Sequence, residues 1–235
     1  MARLPRVVIV DVAHHVTQRG NARQVILAED ADRLVYLQLL RDHCQLYPVS
    51  LLGYCLMSNH VHLLAVPHTS EALARCLKQA HGRYASYWNA LHSSSGHVWQ
   101  GRFYSCPLDE SHLWKALRYV ELNPVRAGMV SAPELWKWSS AAAHGGFVDP
   151  DPVLAMERWS KRWTVLEWRT FLAVDEDPDD LNALRLFTHT GRPLGGRVFV
   201  DALEERTRRT LAPRKAGRPK QISTDSRQST LTFVA

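Results

Sequence analysis

The chain has 235 residues, 46% of them hydrophobic, and a formal net charge of +6. That length suits one domain with an appendage or two small domains, and that apolar fraction excludes a wholly disordered chain. No apolar run approaches the ~20 residues that span a bilayer, which excludes a membrane protein, and no signal peptide is read at the N-terminus.

In chain order, His14-His15-Val16-Thr17-Gln18-Arg19-Gly20-Asn21 alternates and ends in a turn signal, which predicts a strand. Residues 30–47 carry apolar side chains at helical spacing, with Asp30 or Asp32 as cap and Pro48 as stop. Residues 49–57 and 60–66 read as two apolar strands broken by Ser58-Asn59. A second helix starts near Ser70 and carries Leu73, Leu77, Ala80, Tyr84 and Trp88. Residues 102–107 suit a short strand. A third helix spans about 109–122 and should end at Asn123-Pro124, because the residue before proline avoids the helical region. Residues 150–180 read as a partly helical connector, and 181–211 as two short helices separated by Thr190–Gly196. The order predicts one sheet with helices packed on it, in an α/β or α+β arrangement.

The charge is unevenly placed. Residues 1–145 hold 14 basic and 10 acidic side chains, for +4; residues 146–184 hold 4 and 9, for −5; residues 185–220 hold 10 and 3, for +7; residues 221–235 balance. This divides the chain into a core domain at 1–145, an acidic connector at 146–184, a basic helical extension at 185–220 and a disordered tail at 221–235. A basic patch of that density usually meets a polyanion, most often nucleic acid, although a solvated basic helix would read the same way. Cys44, Cys55, Cys76 and Cys106 form no CxxC pair, which points to reduced, mostly buried thiols in a cytoplasmic protein.

Two segments carry chemistry. His60-Val61-His62 lies in a strand, where side chains two apart share a face, so both imidazoles project together as part of a metal site. Two strand histidines bonded to solvent or a neighbour are the ordinary alternative. Tyr119 and Asn123 are four apart on the third helix and share its face. An asparagine carbonyl can complete a site of two histidines and one oxygen, and a tyrosine there can act as a nucleophile; a core tyrosine and a capping asparagine are the alternatives.

Together these segments resemble the REP-associated tyrosine transposases, of the single-tyrosine branch of the His-hydrophobe-His single-strand endonucleases. Four blocks match in order. They are His15-Val16-Thr17-Gln18-Arg19-Gly20-Asn21, Met57-Ser58-Asn59-His60-Val61-His62-Leu63-Leu64, Val98-Trp99-Gln100-Gly101-Arg102-Phe103-Tyr104, and Leu117-Arg118-Tyr119-Val120-Glu121-Leu122-Asn123-Pro124-Val125-Arg126-Ala127-Gly128. The resemblance spans about residues 3–145. It implies an α+β fold, a ferredoxin-like or RRM-like antiparallel sheet with helices on one face. It implies that His60, His62 and Asn123 hold Mg²⁺ or Mn²⁺. It also implies that Tyr119 attacks a phosphodiester in single-stranded or hairpin DNA at palindromic repeats, leaving a 5′-phosphotyrosine and a free 3′-hydroxyl that rejoining consumes. A non-cleaving nucleic-acid-binding repressor and a water-using metal nuclease are the alternative functions; either a monomer or a homodimer fits.

For the DNA surface, Arg19, Arg102, Arg118 and Arg126 flank the matching blocks, and Trp99, Phe103 and Tyr104 interleave with them as stacking candidates. In the extension, Arg192, Lys215 and Arg218 are DNA-binding candidates, with Gly217-Arg218-Pro219 similar to a minor-groove hook. One departure from the family is Trp138-Ser139-Ser140-Ala141-Ala142, where relatives often carry Tyr and Arg after the serines, which implies a lost DNA contact.

Overall fold

The computed structural model describes residues 6–212. Strand β1 (His14–Arg19) is followed by α1 (Asp30–Leu46), β2 (Val49–Leu56), β3 (His60–Pro67), α2 (Ala72–Leu91) and β4 (Tyr104–Pro107). The four strands form one antiparallel sheet in the order β2-β3-β1-β4, the α+β, ferredoxin-like arrangement expected from the sequence. Helix α1 opens with a reciprocal capping box between Glu29 and Asp32 and stops at Leu46, before Pro48. Residues 58–59 turn β2 back onto β3.

Two cores follow from strand alternation. Val16, Leu51, Leu63 and Ala65 pack on one face against Tyr36, Leu40, Leu73 and Leu77 of α1 and α2. Leu52, Cys55, Leu64 and Val66 pack on the other against α3 (Glu110–Glu121). Helices therefore cover both faces, where the sequence reading had placed them on one. The second face is apolar around Leu52, Cys55, Leu64 and Val66, so that part of it too needs cover.

Helix α3 is capped by Asp109, which accepts from the His112 N–H. It reaches β2 closely because residue 53 is glycine: a Cβ there would fall 2.2 Å from Leu117 Cδ1. The expected stop at Asn123-Pro124 is a restart instead. The helix breaks at Leu122 and Pro124 sits in the first turn of a short α4 (Asn123–Arg126), where its missing N–H costs nothing. Then come α5 (Ala141–His144), α6 (Glu157–Ser160), α7 (Val165–Ala173), α8 (Pro178–Thr190) and α9 (Arg197–Thr207).

The segment from α5 to α7 is fastened to α3 through Glu121, which is fully buried. Its carboxylate accepts from Ser140 Oγ (2.6 Å), His144 Nδ1 (2.5 Å) and Trp168 Nε1 (3.0 Å). Ala141 and Ala142 lie beside this cluster and are buried, so the departure from the family at these positions falls in the core and not on a surface that could meet DNA. Helix α8 crosses the outer face of β4 and β1. The four cysteines are free thiols and all are buried, as expected. Among the described residues, no helix is long and apolar enough to cross a membrane.

Candidate active site

Register decides which side chains meet. Thr17 pairs with His62 and Arg19 with His60 across β1 and β3. His15 pairs with Cys106 and Thr17 with Tyr104 across β1 and β4. Directly paired residues share a face, so two columns of polar side chains project toward α3 and α8. The His60 and His62 rings lie 4.9 Å apart, and the Tyr119 ring stands edge-on 5.6 Å from His62 and 5.9 Å from His15. His15, His60, His62, Tyr119 and Asn123 line one cleft of about 500 Å³.

The hydrogen bonds fix which nitrogens are available. Asn59 Nδ2 donates to the Arg23 carbonyl (3.2 Å), so its Oδ1 is the atom that accepts from His60 Nδ1 (2.7 Å). His60 therefore keeps its lone pair on Nε2. His62 Nδ1 is bonded to His15 Nε2 (2.9 Å), and His15 Nδ1 to Thr188 Oγ1 (2.7 Å). Burial disfavours the imidazolium and lowers all three histidines: His60 to about 4, with help from Arg19, His15 to about 3, and His62 well below its usual value. Near neutral pH the rings are uncharged and able to ligate. Asn123 Nδ2 donates to the Tyr119 (3.1 Å) and Val120 (3.4 Å) carbonyls, which leaves Oδ1 as the atom able to ligate. Among the described residues, no group of three His, Cys, Asp or Glu is placed to hold a metal. A cation here would use two imidazole nitrogens and one amide oxygen, a set that suits a divalent ion between hard and soft.

Among the described residues, the cleft is lined by Arg19, Arg23 and Arg185 and by no acidic side chain. Ala22 and Arg23, the latter in the cleft lining, both adopt left-handed backbone (φ 50° and 62°), a local strain beside the site. The Tyr104 ring stacks on His189 at 5.1 Å, an aromatic platform at the edge of the cleft.

The cations named from the sequence divide. Arg19 lines the cleft. Arg102 is exposed but opens onto a separate hollow beside α2, with Trp99 and Phe103. Arg118 is buried on the far side of α3 with its guanidinium 5.0 Å over Phe171, near Asp175, Glu176 and Asp180, so it does not reach the cleft. Arg126 lies 4.2 Å over the Tyr119 ring, donates to the Tyr119 carbonyl and pairs with Glu176 (2.5 Å). Arg192 donates to the Leu211 (2.6 Å) and Ala212 (2.5 Å) carbonyls. Arg118, Arg126 and Arg192 thus serve the fold in this structure. Lys215 and Arg218 lie outside the described residues. Trp99 is a core residue whose Nε1 donates to the His81 carbonyl, and Phe103 is buried; Tyr104 alone of the three aromatics lines the cleft.

Sequence reasoning missed His15, Thr188, Arg185 and His189. Strand alternation from Arg19 back through Thr17 would have found His15. No local pattern announces the α8 residues, which arrive from 173 positions away.

Residues 9–123 match the model of the family described as "Transposase IS200 like". Among solved structures, a REP-associated tyrosine transposase bound to a REP hairpin is similar at 17% identity. The match covers 65% of this chain and 90% of that one, with a TM-score of 0.50. A Deinococcus radiodurans protein described as a transposase aligns at 17% identity over 51% of this chain and 96% of that one, with a TM-score of 0.37. No curated protein matches significantly. The matched segment holds the whole sheet, both strand histidines, Tyr119 and Asn123, and over it the chain is similar to the IS200-like transposases.

Proposed function

We propose that this protein is a divalent-metal-assisted, tyrosine-nucleophile endonuclease and strand transferase for single-stranded DNA beside hairpin or palindromic repeats. The observation that carries it is the single cationic cleft shared by Tyr119, His60, His62 and Asn123. The hairpin held by the similar REP-associated enzyme supports the substrate class. Arg19, Arg23 and Arg185 hold backbone phosphates, and the Tyr104–His189 stack receives an unpaired base. Tyr119 Oη bonds to the scissile phosphorus as the P–O3′ bond breaks; the phenol loses its proton and the departing 3′ oxygen gains one. The products are a 5′-phosphotyrosine and a free 3′-hydroxyl, and attack by a 3′-hydroxyl reverses the step and joins strands. His60 Nε2, His62 Nε2 and Asn123 Oδ1 are the atoms that would hold Mg²⁺ or Mn²⁺. Such an ion, when bound, polarises phosphoryl oxygens and stabilises charge in the transition state.

The test is nicking of a hairpin with single-stranded flanks, with and without Mg²⁺ or Mn²⁺. Metal-dependent cutting with a covalent protein–DNA band, lost in Tyr119→Phe while hairpin binding persists, is the expected result. Cutting that survives Tyr119→Phe with no adduct identifies a water-using nuclease. Hairpin binding without cutting in either metal identifies a repressor.

A further inference from the structure

Tyr119 stands in the last turn of α3, where helix carbonyls lack an intrahelical donor and take one from elsewhere. Its carbonyl accepts from Asn123 Nδ2 (3.1 Å) and from Arg126 Nη2. The Arg126 guanidinium also lies over the Tyr119 ring, 4.2 Å from its centroid. Its other terminal nitrogen, Nη1, donates to Oε2 of Glu176 (2.5 Å), in the link between α7 and α8. A guanidinium only donates, and a carboxylate or carbonyl only accepts, so the sense of both bonds is fixed. The Arg126 and Glu176 side chains are 21% and 15% exposed, so water screens their attraction only in part. Arg185 comes within 5.7 Å of the same ring and lines the cleft. Arg126 is not among the lining residues, and Glu176 shares with Tyr119 a separate hollow that also holds Phe171 and Leu184. The ion pair thus meets Tyr119 from outside the cleft.

We infer that Arg126 and Glu176 are positioning residues for Tyr119: Glu176 fixes the guanidinium, and the guanidinium fixes both the ring and the carbonyl of the tyrosine. A flat group tied at Nη1 and Nη2 cannot turn about its stem, so its face is a fixed plane for the ring to lie on. The edge-on contacts to His62 (5.6 Å) and His15 (5.9 Å) complete the seat. Lysine has neither the plane nor the rigid fork to replace it. Without Glu176 the guanidinium stays charged but is free to turn to water or to a phosphate, and the ring loses its fixed neighbour. The cost of such freedom is large, because displacing a reacting atom by ~1 Å can slow a reaction about 10²-fold. Arg126 and Glu176 both lie beyond residues 9–123, so the tyrosine of the matched segment is held from outside it.

This inference rests on the proposed role of Tyr119 as nucleophile, and its test separates the two. Full-length protein carrying ring-¹³C-tyrosine reports the Tyr119 ring by NMR, the signal being identified by its loss in Tyr119→Phe. Adduct formation is read in a single turnover at saturating hairpin with Mn²⁺, and hairpin affinity is read without metal. Glu176→Ala should shift the Tyr119 ring signal and slow the adduct about tenfold or more, with hairpin affinity unchanged. Arg126→Lys keeps the ion pair and loses the plane; it should slow the adduct with an unfolding midpoint near that of the wild type, where a merely structural pair would keep the rate. An unchanged ring signal or an unchanged rate in Glu176→Ala overturns the inference. So does tighter hairpin binding at an unchanged rate, which would make Arg126 a phosphate contact that Glu176 masks. If Glu176→Ala does not fold, Glu176→Gln makes the same comparison. If the wild type forms no adduct, the ring signal alone decides: a shift in Glu176→Ala upholds the clamp while the nucleophile reading falls.

Discussion

Glu121→Gln is the substitution that most directly probes how the α5–α7 segment is joined to the tyrosine helix. The carboxylate is fully buried and accepts three donors, two on Oε1 and one on Oε2. Glutamine keeps the shape but turns one oxygen into an NH₂. In one orientation that NH₂ faces the Trp168 N–H; in the other it faces Ser140 and His144. Either way at least one charge-assisted bond, worth ~1.5–3 kcal/mol, is lost and a buried donor is left unpaired at a further ~1–3 kcal/mol. The loss of stability should be about 3 kcal/mol. Urea unfolding should show it as a midpoint lower by roughly 1 M at unchanged slope. In Glu121→Gln/Trp168→Phe the opposing indole N–H is gone, so the double variant should lose less than the two singles together. A loss below ~1 kcal/mol, or simple additivity, would refute the claim that this carboxylate is the joint.

Three other outcomes follow from the structure. Gly53→Ala places a methyl 2.2 Å from Leu117 Cδ1, so α3 must move off β2. It should cost ~1–3 kcal/mol in thermal unfolding and slow adduct formation by Tyr119; an unchanged melting temperature would mean that Leu117 simply rotates away. Burial lowers His14 to about 4 and His81 to about 3. The unfolded chain binds these protons near pH 6.5 and the folded one does not, so stability is full above that pH and falls below it. Urea midpoints between pH 7 and 5 should drop with a slope approaching ~1.4 kcal/mol per pH unit for each histidine, and a flat profile would contradict their burial. Replacing Arg214, Lys215, Arg218 and Lys220 by alanine should flatten the salt dependence of single-strand binding by up to about 3 in the log–log slope; an unchanged slope would show those charges to be solvated.

What the sequence made legible was local. The spacing of His60 and His62 gives a shared strand face, and the spacing of Tyr119 and Asn123 a shared helix face, because each depends only on the backbone repeat of its own element. The same repeat could have removed Arg118. Adjacent helix residues point ~100° apart, so a helix that turns Tyr119 toward the sheet turns Arg118 away from it. Arg126, two turns beyond Tyr119, falls on the Tyr119 face, and there it became a clamp on that ring. Charge composition reported that cations are present and not which of them acids would neutralise: Glu176 of the acidic stretch is spent on Arg126, and Asp180 on Lys115. Thr188 and Arg185 were out of reach, since only tertiary packing brings α8 onto β4.

The arrival of α8 has a consequence for synthesis. β1, made first, sits between β3 and β4, so the sheet closes only when residue 107 has been made. The cleft then still lacks a wall, because Arg185, Thr188 and His189 lie some eighty positions further on. A chain emerging N-terminus first therefore carries Tyr119 well before the residues of α8 that complete its cleft. On the proposed function, a half-made copy has the tyrosine and the histidines but not yet the full surface for a strand.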